Sequence, residues 1–413
     1  MHRPRPGRLP GRVRLLIAAR AVNQLGAFSL AFLTVLLTRG LGASLGVAGA
    51  ISAVFGLATI PSRLLGGRLA DRWGRRRTIL TGLTACAAAQ LGLAAAPGLA
   101  AAAVCAVLLG LAFELYEPPS QAMIADAVAP AARAPAYALL TTALAVGNLG
   151  GGLVAEVVGR SGLRWLFVVD AASCLACALV VRLALPADAP APRDVSGPDI
   201  GGSAVRPWRD RALLTMTATG TVFALVYMLM LVSLPLSLSA YGLDPADAGL
   251  LMAASTLTLV VARPALRLRP LAALSPAAAF AAGYALLAAG LADYAFAHTV
   301  PAMLSPTALT SLGNLLLMGR AFAVVSELAP PGAAARYLAV YGLSWGFATV
   351  LAPLVSTALI GAFGPGVLWA TTAALSLAMA FAQPRLLPRT APVTSRVPPP
   401  SVQVRARDGR IRQ

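Results

Sequence analysis

The chain has 413 residues, of which 58% are hydrophobic and only 12% are charged. Soluble proteins carry about 25% charged residues, so this composition excludes a soluble enzyme or nucleic-acid-binding domain and predicts that most of the surface faces lipid. The net charge is +18 and every basic residue other than histidine is an arginine. The arginines gather in short polar segments and at the two ends, which is typical of an orientation signal in a membrane.

Twelve apolar runs follow one another along the chain, and each can cross a bilayer as a helix, for which about 20 residues suffice. The runs of the first half lie at 14–38, 46–66, 78–96, 99–125, 135–159 and 165–185. The runs of the second half lie at 211–240, 246–266, 271–291, 299–326, 336–361 and 366–383. The sequence therefore predicts two six-helix bundles, 14–185 and 211–383.

Three polar segments lie outside the runs. Residues 186–210 predict a cytoplasmic linker between the halves, because proline, aspartate, glycine and arginine are frequent there. Residues 1–13 and 384–413 predict cytoplasmic tails, the second of them disordered. An even number of spans places both ends on one side, and the arginine-rich loops predict that this side is the cytoplasm.

The two halves resemble each other. Asp126 follows the fourth run and Glu327 follows the tenth, and proline, arginine and tyrosine come after each of them. A repeat of about 200 residues is expected when two six-helix bundles are related by an axis along the membrane normal.

The most informative segment is Gly67–Arg77, GRLADRWGRRR, between the second and third runs. Five arginines and one aspartate cannot lie in lipid, so we expect a tight polar turn at the membrane surface. The segment resembles the signature loop of the major facilitator superfamily. That resemblance implies an all-α membrane protein with twelve transmembrane helices, in two bundles related by a pseudo-two-fold axis, that transports by alternating access.

The resemblance also implies an inner gate on the cytoplasmic side. Asp71 is expected to dock against the start of the eleventh helix, because a carboxylate complements a helix N-terminus. Arg75 is expected to reach Asp126, and Glu327 to pair with an arginine of the segment 263–269. The alternative is that these charges only set the topology. The gate candidates are Gly67, Asp71, Arg72, Gly74, Arg75, Arg76, Asp126 and Glu327.

The fifth run contains a glycine cluster at 147–152, GNLGGG. It is similar to a motif in the fifth helix of exporters of this superfamily, the multidrug-efflux or drug:proton antiporter branch. Asn148 stands where that motif has proline. The alternative is that the glycines serve helix packing alone.

Three carboxylates within the runs are candidates for proton coupling, namely Glu114, Glu117 and Asp170. Charges inside a membrane are costly and usually face a cavity. Glu114 and Glu117 share a helix face at this spacing, and two close carboxylates oppose double ionisation, which suits proton exchange or cation binding. The prolines that follow Glu117 should interrupt the helix. The alternative is a structural pairing of one glutamate with Arg20 or Arg320.

Polar and aromatic side chains in the central runs are candidates for a substrate cavity. Aromatic and methionine side chains make adaptable apolar walls, which suit lipophilic and cationic compounds. The candidates are Arg20, Asn23, Gln24, Tyr116, Tyr227, Asn314, Arg320 and Tyr341.

The sequence thus predicts proton-coupled efflux of small lipophilic compounds by a secondary transporter in the cell membrane. We expect a monomer in contact with lipid, with small-molecule substrate and protons as partners, and no catalytic residues, cofactor, metal or nucleic acid. The paired spacing of Cys174 and Cys177 is read as helix packing. One alternative is an ion-coupled transporter of a metabolite, such as an amino acid or an organic anion bound at Arg20 and Arg320. Another is a transporter-like sensor or scaffold.

Overall fold

The computed structural model describes residues 10–128, 130–185, 207–330 and 334–387. Three predicted segments lie mostly outside these ranges: the N-terminal tail, the linker and the C-terminal tail, of which residues from 388 onward are outside. The described residues form helices and connecting turns without any strand.

The first half contains eight helices. They are α1 Gly11–Leu25, α2 Ser29–Val35, α3 Leu45–Trp73, α4 Arg75–Ala95, α5 Leu99–Phe113, α6 Glu117–Asp126, α7 Pro130–Arg160 and α8 Leu163–Ala184. A π-helical turn at Leu36–Gly40 extends α2. Ser44 caps α3 by accepting a hydrogen bond from the backbone N–H of Val47, which satisfies one of the free donors of that helix start.

The second half contains seven helices. They are α9 Arg211–Ala240, α10 Asp247–Ala262, α11 Arg269–Ala272, α12 Pro276–Tyr294, α13 Leu304–Leu328, α14 Ala334–Phe363 and α15 Pro365–Leu386. Asp210 caps α9, and Ser275 caps α12. Proline stands at the first position of α12 and of α15, where its missing N–H costs no hydrogen bond.

Eleven stretches of the described chain are long and apolar enough to cross a membrane. The remaining predicted run, 14–38, is present as α1 and α2, with a break between them. The twelve-helix, all-α prediction is therefore confirmed, as two six-helix bundles.

The break in the first run was not expected. It lies at Gly26, where α1 approaches α8 so closely that a Cβ on Gly26 would lie 2.6 Å from the Cα of Asp170. The break borders the cavity described below, and no sequence period reveals it.

The break in the fourth run follows from Pro118 and Pro119, which have no N–H to donate to the preceding turn. Helix α5 ends at Phe113 and α6 begins at Glu117. Ser62 of α3 binds the chain at this break, because its hydroxyl accepts the backbone N–H of Glu114 at 3.1 Å.

The signature segment is helical rather than a loop. Helix α3 continues to Trp73 and α4 begins at Arg75, so the whole turn is Gly74 with φ 94° and ψ 155°. The expected tight polar turn is thus present as a single residue, and the rest of the segment satisfies its backbone hydrogen bonds as helix. The conformation of Gly74 is essentially restricted to glycine.

The two halves meet on the face opposite the signature segment, which we call the distal face; the other is the signature face. There Arg160 of α7 lies 2.6 Å from Asp247 of α10, and Arg39 donates to the carbonyl of Ser239 at 2.6 Å. Both contacts cross between the halves. The cavity between the halves is therefore closed at its distal end.

Glycines let the backbones of the two halves touch near the distal face. A Cβ on Gly152 of α7 would lie 2.6 Å from the carbonyl oxygen of Gly249 in α10, and a Cβ on Gly249 would meet the carbonyl of Gly152 just as closely. Gly147 of the same cluster lies equally close to the backbone of α1. The glycine cluster of the fifth run thus serves close helix packing.

Candidate functional site

A cavity of about 490 Å³ lies between the halves. The first half contributes residues of α1, α2, α5, α6 and α7 together with both helix breaks, and the second half contributes residues of α9, α10, α12, α13 and α15. Both interrupted helices therefore border the space that a substrate would occupy.

The charged part of the cavity is built around Arg20. This side chain is 6% exposed and forms an ion pair with Glu117 Oε2. Its guanidinium carbon lies 4.8 Å from the centre of the Tyr116 ring, a cation–π contact. The second oxygen of Glu117 accepts a hydrogen bond from Gln121 Nε2 at 2.9 Å. Glu117 is thus neutralised by a partner that the fold holds in place.

Glu114 has a much weaker partner. Its Oε2 lies 3.9 Å from Nε of Arg63, and the two side chains are 27% and 56% exposed. A long contact between partly solvated groups contributes little. Glu114 is therefore the cavity carboxylate whose charge is least compensated.

The charges of the cavity all lie in the first half. Among the described lining residues the charged ones are Arg20, Glu114 and Glu117, which leaves one net negative charge when both carboxylates are ionised. Gln24 and Asn148 add a hydrogen bond of 2.8 Å between α1 and α7. The wall from the second half is neutral.

The neutral wall combines rings, methionines and hydroxyls. Tyr227 packs edge-on against Trp345 with ring centres 5.3 Å apart, and Tyr294 stacks on Trp369 at 4.9 Å. Of these four rings, Tyr227, Tyr294 and Trp369 line the cavity. The same wall also includes Met228, Met230, Met252, Ser255, Thr256, Thr307, Thr310 and Asn314.

Seven of the residues singled out from the sequence for coupling or for the cavity line it. They are Arg20, Gln24, Glu114, Tyr116, Glu117, Tyr227 and Asn314. The expected alternative, a pairing of one glutamate with Arg20, is present at Glu117.

Four other candidates lie elsewhere, three of them in polar contacts. Asn23 is buried and donates to the sulfur of Cys174 at 3.2 Å. Asp170 is also buried in the first half, where the thiol of Cys174 lies 3.9 Å from its Oδ1. Arg320 donates to the carbonyl of Leu271 at 3.0 Å. None of these three lines the cavity.

Tyr341 also lies outside the cavity, in the core of the second half. It is 2% exposed and packs edge-on against Phe322 with ring centres 5.4 Å apart. The sequence could not distinguish these positions from lining ones, because helix rotation decides which polar side chain faces a neighbour's backbone.

The gate candidates lie on the signature face. Asp71 and Arg72 are exposed on the last turn of α3. Arg76 donates to the carbonyl of Arg182, at the end of α8, at 2.5 Å. This contact stays within the first half and complements the negative end of that helix.

The gate contacts themselves stay predictions. The side chain of Asp126 and those at the start of the eleventh membrane helix lie outside the described residues. Glu327 is exposed, and no ion pair joins it to Arg263, Arg267 or Arg269 in the described chain.

Several residues of the site were missed. Arg63, the partner of Glu114, is a charge inside the second run, which could have identified it. Thr307 and Thr310 precede the predicted lining residue Asn314 at helical spacing in the tenth run. This spacing indicates that the three polar side chains share one helix face.

Comparisons with known proteins agree with this architecture. The family model described as Major Facilitator Superfamily matches residues 16–269. YhjO, an uncharacterised MFS-type transporter of Bacillus subtilis (strain 168), is 27% identical over 327 residues, covering 74% of this chain and 75% of the relative. YqjV of the same organism, also an uncharacterised MFS-type transporter, is 24% identical over 353 residues, covering 82% and 84%.

Solved transporter structures share the fold. A crystal structure of an auto-inhibited POT family peptide transporter has a TM-score of 0.74 and 15% identity, and the match covers 92% of this chain and 98% of that one. A mutant of the nucleoside transporter NupG has a TM-score of 0.77 and 13% identity, covering 91% and 100%. Because the family model spans more than half of the sequence, this chain belongs to the major facilitator superfamily and is a multi-pass membrane transporter of that type.

Proposed function

We propose that this transporter exports small lipophilic cations in exchange for protons, by alternating access in the cell membrane. The observation that carries the proposal is the unequal pairing of the two cavity glutamates: Arg20 neutralises Glu117, whereas Glu114 has only a long contact to an exposed arginine.

This arrangement makes proton and cation compete. With Glu114 ionised, the cavity carries one net negative charge and attracts a cation. With Glu114 protonated, the cavity is neutral and a buried cation would lack a counter-charge, which is costly. One site that holds either a proton or a cation, but not both, exchanges one for the other as the cavity opens alternately to each side.

The walls suit a lipophilic molecule. Rings and methionines line the neutral side, and such side chains adapt to ligands of different shape. The cavity volume of about 490 Å³ falls within the roughly 300–1,000 Å³ typical of small-molecule sites.

The structure represents one half of the proposed cycle. The distal end is closed by backbone contact and by the ion pair of Arg160 with Asp247. Closure of the signature face would form the predicted gate, with Asp71 at the start of the eleventh helix, Arg75 at Asp126, and Glu327 beside the arginines of 263–269. The positive-inside rule favours the cytoplasm for that face.

The alternative of an organic anion bound at Arg20 and Arg320 is less favoured. Its two arginines do not form a site, because Arg20 is already paired with Glu117 and Arg320 is bonded to backbone outside the cavity. A sensor or scaffold without transport remains the competing class, and a flux measurement separates it from a transporter.

The test uses purified protein in proteoliposomes that contain a pH-sensitive dye. A pH gradient is imposed, and a panel of lipophilic cations and small metabolites is added. We expect cation-dependent proton movement in the wild type and its loss in Glu114→Gln. Asp293→Asn serves as the control, because that carboxyl group lies outside the cavity lining.

Three results would contradict the proposal. Proton movement that survives Glu114→Gln but disappears in Asp170→Asn would move the proton site to α8. Substrate flux that ignores the pH gradient would remove proton coupling altogether, and absence of any flux would favour the sensor or scaffold.

A further inference from the structure

Six residues of the second-half wall carry hydroxyl groups, namely Tyr227, Ser255, Thr256, Tyr294, Thr307 and Thr310. In all of them except Tyr227, the hydroxyl hydrogen is already in use. A hydroxyl whose hydrogen is bonded within the protein can still accept hydrogen bonds through its lone pairs.

Three of them donate to their own helices. Thr256, Thr307 and Thr310 each bond the backbone carbonyl four residues earlier, at 3.1, 2.6 and 2.8 Å. The carbonyls are held in a helical ladder, so these bonds persist without any substrate.

The donors in the two remaining contacts follow by exclusion. Ser311 gives its hydrogen to the carbonyl of Thr307 at 2.6 Å, so Ser255 must be the donor in the 2.7 Å bond between the two serines. Thr307 has likewise spent its hydrogen, so Tyr294 donates in their 2.6 Å bond. These five hydroxyls are therefore left as acceptors, and Ser255 and Thr256 are the partly exposed ones among them.

Asn314 adds an unmet polar group to the same wall. The residue is 8% exposed, and its side chain forms no hydrogen bond with any described residue; its Oδ1 is buried without a partner. Trp369 Nε1 is also a buried, unpartnered group of the described lining, and it is a donor. Asn314 Nδ2 and the Tyr227 hydroxyl are donors as well, but the five bonded hydroxyls and Asn314 Oδ1 outnumber these donors, and an unsatisfied buried acceptor favours a ligand that can donate to it.

We propose that these hydroxyls and Asn314, which we call the acceptor wall, form with Glu114 a subsite for a cationic head group rich in N–H donors. Primary ammonium, amidinium and guanidinium compounds fit, and quaternary ammonium compounds do not. This inference rests on the proposed export of lipophilic cations and narrows its substrate class.

A simpler cavity would select in the opposite direction. Aromatic rings with one carboxylate favour quaternary ammonium groups, which are recognised through cation–π contact and are weakly hydrated. A primary ammonium loses strong hydrogen bonds to water and is accepted only where the protein replaces them. Tighter binding of a primary ammonium therefore indicates the acceptor wall, whereas tighter binding of a quaternary ammonium indicates an apolar, negatively charged cavity.

The test compares 4-phenylbutylammonium with its N,N,N-trimethyl analogue, which has the same tail and charge but no N–H. Binding to the full-length protein in lipid nanodiscs is measured by calorimetry against protein-free nanodiscs. We expect the primary ammonium to bind at least about tenfold more tightly, since a site built for hydrogen bonds rejects an analogue without them.

Variants then locate the selectivity. Ser255→Ala with Thr256→Val removes the two partly exposed acceptors. Ser311 keeps its bond to the carbonyl of Thr307 and the carbonyl that Thr256 bonded stays in its helical ladder, so the ratio of affinities should fall towards one. Thr372→Val with Ser376→Ala is the matched control in α15: these buried hydroxyls also donate to carbonyls, at 2.7 and 2.9 Å, but do not line the cavity. The control should keep the wild-type ratio.

The outcomes separate this inference from the export proposal. Equal binding of both probes, or tighter binding of the trimethyl compound, overturns the acceptor wall; if Glu114→Gln weakens both, the cation site itself stands. A preference that survives Ser255→Ala with Thr256→Val also overturns the wall. Failure of both probes to bind the wild type would remove both proposals.

Discussion

Arg160 of α7 and Asp247 of α10 form an ion pair of 2.6 Å that joins the two halves at the distal face. Glu156, one helical turn before Arg160, lies 2.5 Å from the same guanidinium. The guanidinium of Arg160 therefore contacts one carboxylate from each half. The contact with Asp247 is the one that crosses between the halves.

We predict that Asp247→Asn shifts the protein towards the distally open conformation. The Arg160 side chain is 56% exposed, so the population ratio should change only by about two- to fivefold, as for other exposed pairs. Spin-label distances between the loops 41–44 and 241–246 would report the change. Arg164→Ala is the control, because Arg164 bonds the carbonyl of Ala94 in its own half; an equal shift there would contradict a specific role for the crossing pair.

Gly152→Leu should have a much larger effect on the same equilibrium. A Cβ at this position would lie 2.6 Å from the backbone of Gly249, and backbone cannot move aside as a flexible side chain can. We expect a folded protein that cannot close its distal end and does not transport. Gly319→Leu is matched in residue type but has open space around its Cα, so its distal distances and flux should stay close to those of the wild type.

The pair of Arg20 and Glu117 can be tested by a double-mutant cycle. Arg20→Ala leaves a carboxylate without its partner, which costs roughly 3–5 kcal/mol for a fully buried pair; the cost here should be smaller, because Glu117 is 24% exposed. The melting temperature in detergent should fall by a few degrees and largely recover when Glu117→Gln is added. A double variant no more stable than Arg20→Ala would show that the guanidinium acts mainly through Tyr116 and packing.

Gly74→Ala and Gly67→Ala should change stability in opposite directions. Gly74 has φ 94° and ψ 155°, where a Cβ costs about 1–3 kcal/mol. Gly67 lies within α3, and a Cβ there would project into open space, so alanine should stabilise the helix by about 0.5–1 kcal/mol. Thermal melts of both variants measure this contrast, and equal destabilisation would mean that Gly67 makes a contact in another conformation.

The sequence predicted those features that depend on composition and local order. Apolar length determined the spans, and the proline pair after Glu117 determined the break in the fourth. Glu114 and Glu117 both line the cavity, although the break separates them and they do not share one helix face as predicted. The successful inferences need only apolar length, the effect of proline on a helix and the cost of a charge in lipid.

Features that depend on contacts between helices were missed. The break at Gly26 lies where α1 approaches Asp170, which is more than a hundred residues away. Arg320 was expected in the cavity, yet its guanidinium reaches the carbonyl of Leu271. The direction of a polar side chain follows from helix rotation and from neighbouring backbone, and neither is visible in the order of residues.

The cavity charges all lie in the first half, and the described wall of the second half is neutral. A molecule between the halves therefore meets its electrostatic partner on one side and its shape-determining surface on the other. Changes in α10, α12 and α13 could then give a new range of compounds while the ionisable groups stay as they are. A library of variants confined to those three helices would change which compounds are bound and would leave Arg20, Glu114 and Glu117 unchanged.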